Sequence, residues 1–329
     1  FGLMNLNRAK NIGIIMGGYS DEYEISIKSG QVVYETLKDV FNCYKIYIKE
    51  NEWIIKKDND SFNIDVDDFV IDGLTDLKLD CIFNAIHGTP GEDGKMQKYF
   101  EDKNIPITGC NSYQSKLTFD KIACLNFVSS KGIKVASSIS LSNSEKIDID
   151  EIENKIGFPC FVKASNSGSS FGVFKVYDKE EIVSCINSAF EVDNKVLIES
   201  FIDGREFSIG VISLNGGTKV LPITEIITSN DFFDYEAKYE GKAKEITPAN
   251  ISEELESELK LLSEKVYNLL DLKGLSRSEF IVNNEGIYYL ETNTVPGLTS
   301  ESILPQQARC AGISLKELFV NAIDEAIIK

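Results

Sequence analysis

KASNSGSSFGVFKV, residues 163–176, follows an apolar run and packs two glycines and four serines into eight residues, 165–172. A loop of this kind can turn several backbone N–H groups toward phosphate oxygens, because glycine tolerates the required φ and serine adds hydroxyl donors. The spacing is not GxxxxGK[ST], and an alternating strand rather than a helix follows, so a Walker-type loop is excluded. Taken alone, the stretch also reads as a serine-rich hairpin, and its neighbours must decide.

Those neighbours are strands at hairpin-scale spacing. FPCFVKAS, FGVFKVY and KVLIESFI, with the helix-like EEIVSCINSAF between the last two, predict a small antiparallel α/β unit preceded by a helix over 112–133. Upstream, NIGIIMGG (11–18) reads as a buried strand ending in two glycines, and Ser20 is the expected cap of the helix that follows. FNCYKIYI and EWIIKK alternate, LDCIFNAI (79–86) is another buried strand, and GKMQKYFEDKNI is helical. This predicts one α/β domain with a parallel sheet over 1–110. Downstream, EFSIGVISL, KVLPITEII, SRSEFIVN and GIYYLETN are strands, and SEELESELKLLSEKVYNLLDL and SLKELFVNAIDEAI are helices. The expected partition is 1–110, 111–203 and 204–329.

The chain has 329 residues, which at about 100–200 residues per domain allows two domains or three small ones. No apolar run approaches the ~20 residues that span a bilayer, and the first residues do not read as a secretory signal. Seven cysteines without CxxC spacing read as free thiols in a reducing cytoplasm. With 52 acidic against 34 basic residues, the net charge is −18 and disfavours a nucleic-acid partner.

EFIVNNEGIYYLETN (279–293) puts Glu279 and Glu291 on consecutive strands joined by the NNEG turn, with Asn293 on the face of Glu291. Two carboxylates and an amide oxygen suit Mg²⁺ bridging nucleotide phosphates; a solvated acidic edge is the alternative. Arg277 shares a face with Glu279 and can clamp a phosphate or an oxyanion, or simply form an ion pair. DFFDYEAKYEGKAKEITPA (231–249) fits either a mobile lid or an ordinary exposed loop.

Taken in order, MGGYSDEYEISIKSG, HGTPGEDGKMQKYFEDKNIPITGC, FDK, FVKASNSGSSFGV, VLIESFIDGREFSIGV, DYEAKY, LSRSEFIV and LETNTVPGLTSESILPQQARCAGIS resemble the D-alanine:D-alanine ligases, members of the ATP-grasp enzymes. The resemblance implies an ATP-grasp fold of three α/β units, with ATP between the central and C-terminal ones. It implies that ATP phosphorylates one D-alanine and that a second D-alanine attacks the acyl phosphate, serving peptidoglycan precursor synthesis. Lys121 and Lys163 would hold the α- and β-phosphates under a loop containing Ser169 and Ser170. Glu199, Ser200, Phe201 and Ile202 would form the adenine hinge, and Glu206 would hold the ribose. Glu279, Glu291 and Asn293 match the ligands of two Mg²⁺ ions, with Mn²⁺ as a substitute; the family usually carries aspartate at the position of Glu279. Arg277 and the Gly297 backbone would stabilise the oxyanion, and Lys238 would reach the γ-phosphate. Glu22 would pair with the first substrate's ammonium, Ser302 and Ile303 with the second's carboxylate, and Tyr239 and Ser169 would tie the lid to Glu22. The resemblance favours a homodimer.

A ligase that takes D-lactate or D-serine second is the nearest rival, although lactate-forming relatives tend to carry histidine in the lid, where DYEAKY has Tyr239. His87, the only histidine, falls at a strand's carboxyl end. It is expected to hydrogen-bond near the first substrate's carboxylate, beside Glu92 and Asp93.

Overall fold

The computed structural model describes residues 9–168, 170–228 and 243–328. Three sheets organise them. The first contains β1 (Asn11–Gly17), β2 (Asn42–Lys49), β3 (Glu52–Lys57), β4 (Asp60–Ile64) and β5 (Cys81–Asn84) in the order β4-β3-β2-β1-β5. The expected parallel arrangement holds only for β2, β1 and β5; β3 and β4 run antiparallel. Chain length explains the difference. Only Glu50 and Asn51 separate β2 from β3, whereas a parallel return needs a crossover of about a dozen residues or more.

Strand order reverses at β1, whose parallel neighbours are β2 on one side and β5 on the other. Ligand crevices form at such a switch point, outside the carboxyl ends of the strands. The loops after β1 and β5 meet there. Gly18, at φ +105°, leaves no room for a Cβ, which would sit 2.8 Å from Ile86 Cγ2 and 3.0 Å from the Thr89 carbonyl oxygen. Helix α1 (Tyr23–Leu37) starts beside this crevice, and α2 (Lys95–Asp102) follows the β5 loop.

The helix expected over 112–133 is two helices, α3 (Ser112–Phe119) and α4 (Lys121–Ser130). Asp120 adopts extended geometry between them, and its side chain caps α4 by accepting from the Ala123 N–H at 3.0 Å. The break places Lys121 at the first position of α4. Neither helix keeps company with the second sheet alone: Cys124, Leu125 and Val128 share a core with Phe207, Phe280 and Tyr289 of the third.

The second sheet is antiparallel, in the order β6 (Ser138–Ser142), β9 (Lys195–Ser200), β7 (Cys160–Ala164), β8 (Val173–Val176), with α5 (Ile149–Lys155) and α6 (Ile182–Phe190) in the same stretch of chain. The third follows the path β13 (Ala243–Ile246), β12 (Thr224–Thr228), β10 (Arg205–Leu214), β14 (Leu275–Asn283), β15 (Gly286–Asn293), with β11 (Gly217–Val220) also on β10. Helices α7 (Glu253–Leu269), α8 (Ile303–Cys310) and α9 (Leu315–Ile328) complete the described chain. The last helix returns to the first sheet: Phe319 meets Phe83 edge-on at 5.4 Å, within a core that includes Ile12, Ile14 and Met16. Among the described residues no helix is long and apolar enough to cross a membrane.

Candidate active site

A cavity of about 580 Å³ opens where the three sheets converge. Alternation along β14 brings Arg277, Glu279 and Ile281 to it, and the paired strand β10 brings Glu206. Strand β15 is irregular. Glu279 is paired with Glu291 but Phe280 with Tyr289, so Leu290 is the extra residue of a β-bulge. In a regular strand Tyr289 and Glu291 would share a face; the bulge sends Tyr289 into the core and both Leu290 and Glu291 to the cavity.

Glu279 and Glu291 thus stand directly opposite one another, a like-charge arrangement that is unfavourable unless a cation intervenes. Arg277 supplies part of that charge, with Nη2 3.3 Å from Glu279 Oε1. Asn293 lines the same cavity, and its Oδ1 accepts the Val295 N–H at 2.9 Å. Among the described residues no three histidine, cysteine or acidic side chains converge to bind a metal. The donor set here, two carboxylates and an amide oxygen, fits Mg²⁺, which usually takes one or two carboxylates and completes its shell with phosphate and water oxygens.

The second sheet closes the opposite side. Lys163 Nζ forms an ion pair with Glu199 Oε2 at 2.9 Å, and the buried Glu199 Oε1 lacks a hydrogen-bond partner. An orphaned acceptor on a cavity wall suits a ligand donor such as an exocyclic amine. Phe161, Phe201, Ile202, Ile281 and Leu290 add apolar surface around it, and Ser200 lines the same wall. Lys121 enters from the start of α4, and its ammonium donates to the Ser167 carbonyl. The serine loop is fixed to that same helix start, since the Ser165 hydroxyl donates to Asp120 Oδ1 at 2.7 Å and accepts the Ile122 N–H at 3.2 Å. Ser170 takes a left-handed φ of 63°, and Gly168 and Ser170 both face the cavity.

Glu22 joins the first sheet to this loop. It is buried, and its Oε2 would lie 2.6 Å from a Cβ at Gly88 and 2.7 Å from one at Gly168, so two glycine backbones enclose the carboxylate. Glu92, also buried, faces the same cavity with Oε1 unpartnered. Burial pushes its carboxyl well above the ordinary range, with the charges of Glu22 and Glu291 adding to the rise. Asp93 turns instead to the Thr89 hydroxyl, at 2.5 Å, and to Lys95, at 3.0 Å.

His87 lies deeper than its sequence position suggests. Its Nδ1 is 2.8 Å from the Val295 carbonyl and its Nε2 2.8 Å from the Ser29 hydroxyl, so both ring nitrogens are engaged within the protein. Gly297, Ser302 and Ile303 sit on the following loop and the start of α8. A Cβ at Gly297 would come within 2.7 Å of Ser302 Oγ, which is itself 2.7 Å from Thr299 Oγ1. Ser169, Lys238 and Tyr239 lie outside the described residues. The sequence reading missed Ser26 and Ser29, two fully buried hydroxyls one turn apart on the inner face of α1. Polar residues on an otherwise apolar helical stripe were the available signal.

Known proteins resemble the chain along nearly its whole length. The family model described as D-ala D-ala ligase N-terminus matches residues 11–110, and that described as D-ala D-ala ligase C-terminus matches 127–324. The D-alanine–D-alanine ligase of Flavobacterium johnsoniae is 52% identical, covering 96% of this chain and 98% of the relative. That of Christiangramia forsetii is 47% identical, covering 97% and 98%. Among solved structures, the D-Ala:D-Ser ligase VanG of Enterococcus faecalis superposes with a TM-score of 0.86 at 31% identity, covering 96% of this chain and 99% of that one. The Bacillus anthracis D-alanine–D-alanine ligase complexed with ATP gives 0.79 at 31%, covering 98% of each. With both halves of the family pattern matched and near-complete coverage of relatives at such identity, the chain belongs to the D-alanine–D-alanine ligases.

Proposed function

We propose that this protein uses ATP to join two D-alanine molecules into D-alanyl-D-alanine, releasing ADP and phosphate, for peptidoglycan precursor synthesis. The observation that carries the reading is one shared cavity lined by Lys121, Lys163, Arg277, Glu291 and Glu22. Cationic side chains suited to phosphates and a carboxylate suited to a substrate ammonium on one cavity support this reading.

A carboxylate in water is a poor acyl donor, and phosphorylation replaces an oxide leaving group with phosphate. Glu22 holds the first D-alanine by its ammonium and turns its carboxylate toward the nucleotide. A carboxylate oxygen attacks the γ-phosphorus and ADP departs. Lys121 and Lys163 bind the α- and β-phosphates with Ser170, the Glu199–Ile202 segment binds adenine, and Glu206 binds the ribose hydroxyls. Glu279, Glu291 and Asn293 would hold two Mg²⁺ ions, or Mn²⁺, which when bound neutralise charge on the phosphates. The second D-alanine, held by its carboxylate at Ser302 and Ile303, gives an ammonium proton to solvent and attacks the acyl carbon; the second N–H proton leaves with the expelled phosphate. Arg277 and the Gly297 N–H stabilise the resulting oxyanion, and collapse expels phosphate. Lys238 would reach the γ-phosphate, and Ser169 and Tyr239 would close over Glu22; the family resemblance supports these three roles. His87 acts on the first-substrate side of the pocket. We further infer a homodimer at work in the cytoplasm.

The test is ADP release with D-alanine alone and then with D-lactate or D-serine added, with products identified by mass. D-alanyl-D-alanine as the main product is expected. Absence of D-alanine-dependent turnover with Mg²⁺ refutes the reading, and a mixed product with D-serine or D-lactate as the preferred outcome replaces it by the corresponding variant ligase.

A further inference from the structure

We infer that Ser29 is a positioning residue for the acyl-transfer step: its hydroxyl, oriented by His87, holds the 295–298 loop so that the Gly297 N–H points where the oxyanion forms. This rests on the ligase reading above, which makes Gly297 an oxyanion donor.

The hydrogen bonds assign every proton. The Val295 carbonyl can only accept, so His87 Nδ1 carries a proton and donates across 2.8 Å. Burial keeps the ring neutral, against the pull of Glu22 and the Val295 carbonyl. Nε2 is then an acceptor, and the Ser29 hydroxyl donates to it across 2.8 Å. The serine oxygen is left to accept from the Leu298 N–H at 3.2 Å. Two fasteners therefore flank Gly297, Val295 through the imidazole and Leu298 through the hydroxyl, and both lead back to the first sheet and its helix. Ser29 is wholly buried and His87 3% exposed, so water does not replace a missing partner readily.

Gly297 has no independent freedom on its other side. Ser302 Oγ occupies the space a side chain would need there, and the Ser302–Thr299 contacts close the far end of the loop. The Leu298 N–H is one residue from the Gly297 N–H. Release of that fastener displaces the oxyanion donor without touching the adenine wall or Lys163, so the loss should fall on amine attack and not on nucleotide binding.

Steady-state assays should follow phosphate and dipeptide together in the wild type, Ser29→Ala and Ser29→Cys, with nucleotide affinity and melting temperature measured on the same samples. Removing an oxyanion donor outright costs about 100-fold or more; a displaced one should cost about tenfold in kcat in Ser29→Ala. The acyl phosphate then survives long enough to meet water, so phosphate released per dipeptide should rise to about three or more from about one. ATP affinity should stay within about twofold, and Ser29→Cys, which keeps a weak donor and acceptor, should fall between. If Ser29→Ala does not fold, the cysteine variant carries the same comparison. Unchanged coupling with only a lower melting temperature overturns the inference, as does loss of nucleotide affinity alongside turnover. A wild type that makes no dipeptide overturns the ligase reading itself; a wild type that makes it with unaltered coupling in the variants overturns only the positioning role.

Discussion

Lys163 and Glu199, on neighbouring strands β7 and β9, form an enclosed ion pair on the cavity wall, 2.9 Å apart with side-chain exposures of 19% and 3%. Burial lowers the affinity of Lys163 for its proton, but Glu199, aided by Glu291 and Glu206, outweighs it and holds the ammonium above its ordinary range. Lys163→Met strands a buried carboxylate, which costs about 3 kcal/mol or more. Glu199→Gln leaves an amide and a better-hydrated lysine. The methionine variant should therefore melt lower than the glutamine variant in the absence of nucleotide, and a double-variant cycle by thermal or urea unfolding checks the coupling; equal melting points would contradict it.

The opposition of Glu279 and Glu291 across the β14–β15 ladder predicts a metal-linked defect. Glu291→Gln should lower turnover about 100-fold at saturating ATP, the several kcal/mol that a metal contributes to charge stabilisation. Without metal, the same change removes a repulsion and should stabilise the protein. Melting curves with and without Mg²⁺ and nucleotide separate the effects, and a variant destabilised in the absence of metal would count against the arrangement.

Much of this site is readable in the chain, and the unread parts share a cause. Glu279, Glu291, Asn293 and Arg277 follow from period-two alternation and a four-residue turn, because those are local rules. The β-bulge at Leu290 is not local: it depends on how β15 meets β14, and alternation alone would have put Tyr289 beside Glu291. The split at Asp120 was similarly hidden, because an unbroken apolar pattern runs through 112–133 while the break is decided by a cap on α4 and by Ser165 from a distant loop. His87 could be placed beyond the carboxyl end of its strand, but not off the cavity wall with both ring nitrogens engaged inside the protein. Its partners, 58 and 208 residues away, could not be read from sequence proximity.

His87 makes stability fall in mild acid. Burial holds its folded-state affinity for protons below the unfolded value, with Arg277 acting the same way and Glu22 opposing. Below about pH 6.5 the unfolded chain binds a proton that the folded one refuses, so unfolding becomes easier as pH drops. Since no other histidine exists, the difference in melting temperature between wild type and His87→Gln should change between pH 7 and 5, in favour of the variant at the acid end. A pH-independent difference would show that the ring is not held neutral.

Glu92 works in the opposite sense. Its folded carboxyl is raised by burial, then by Glu22, so its contribution is full below the unfolded value of about 4.3 and is lost as pH rises through the folded value. Glu92→Gln imitates the protonated acid. Its melting advantage over the wild type should grow from pH 4 to pH 8, and an advantage that shrank over that range would rule out a proton held at Glu92.

The extra residue in β15 also bears on how this gene tolerates length change. Deleting the codon for Leu290 would give an unbroken ladder in which Tyr289 still points inward and Glu291 still faces the cavity, because the bulge has already compensated for the insertion. What disappears is one part of the apolar wall to which Phe161 and Phe201 also contribute. Codon 290 is thus a position where an in-frame deletion should spare the fold and change only the cavity wall, whereas loss of codon 289 or 291 would draw Leu290 into the place of a core tyrosine or of a cavity carboxylate.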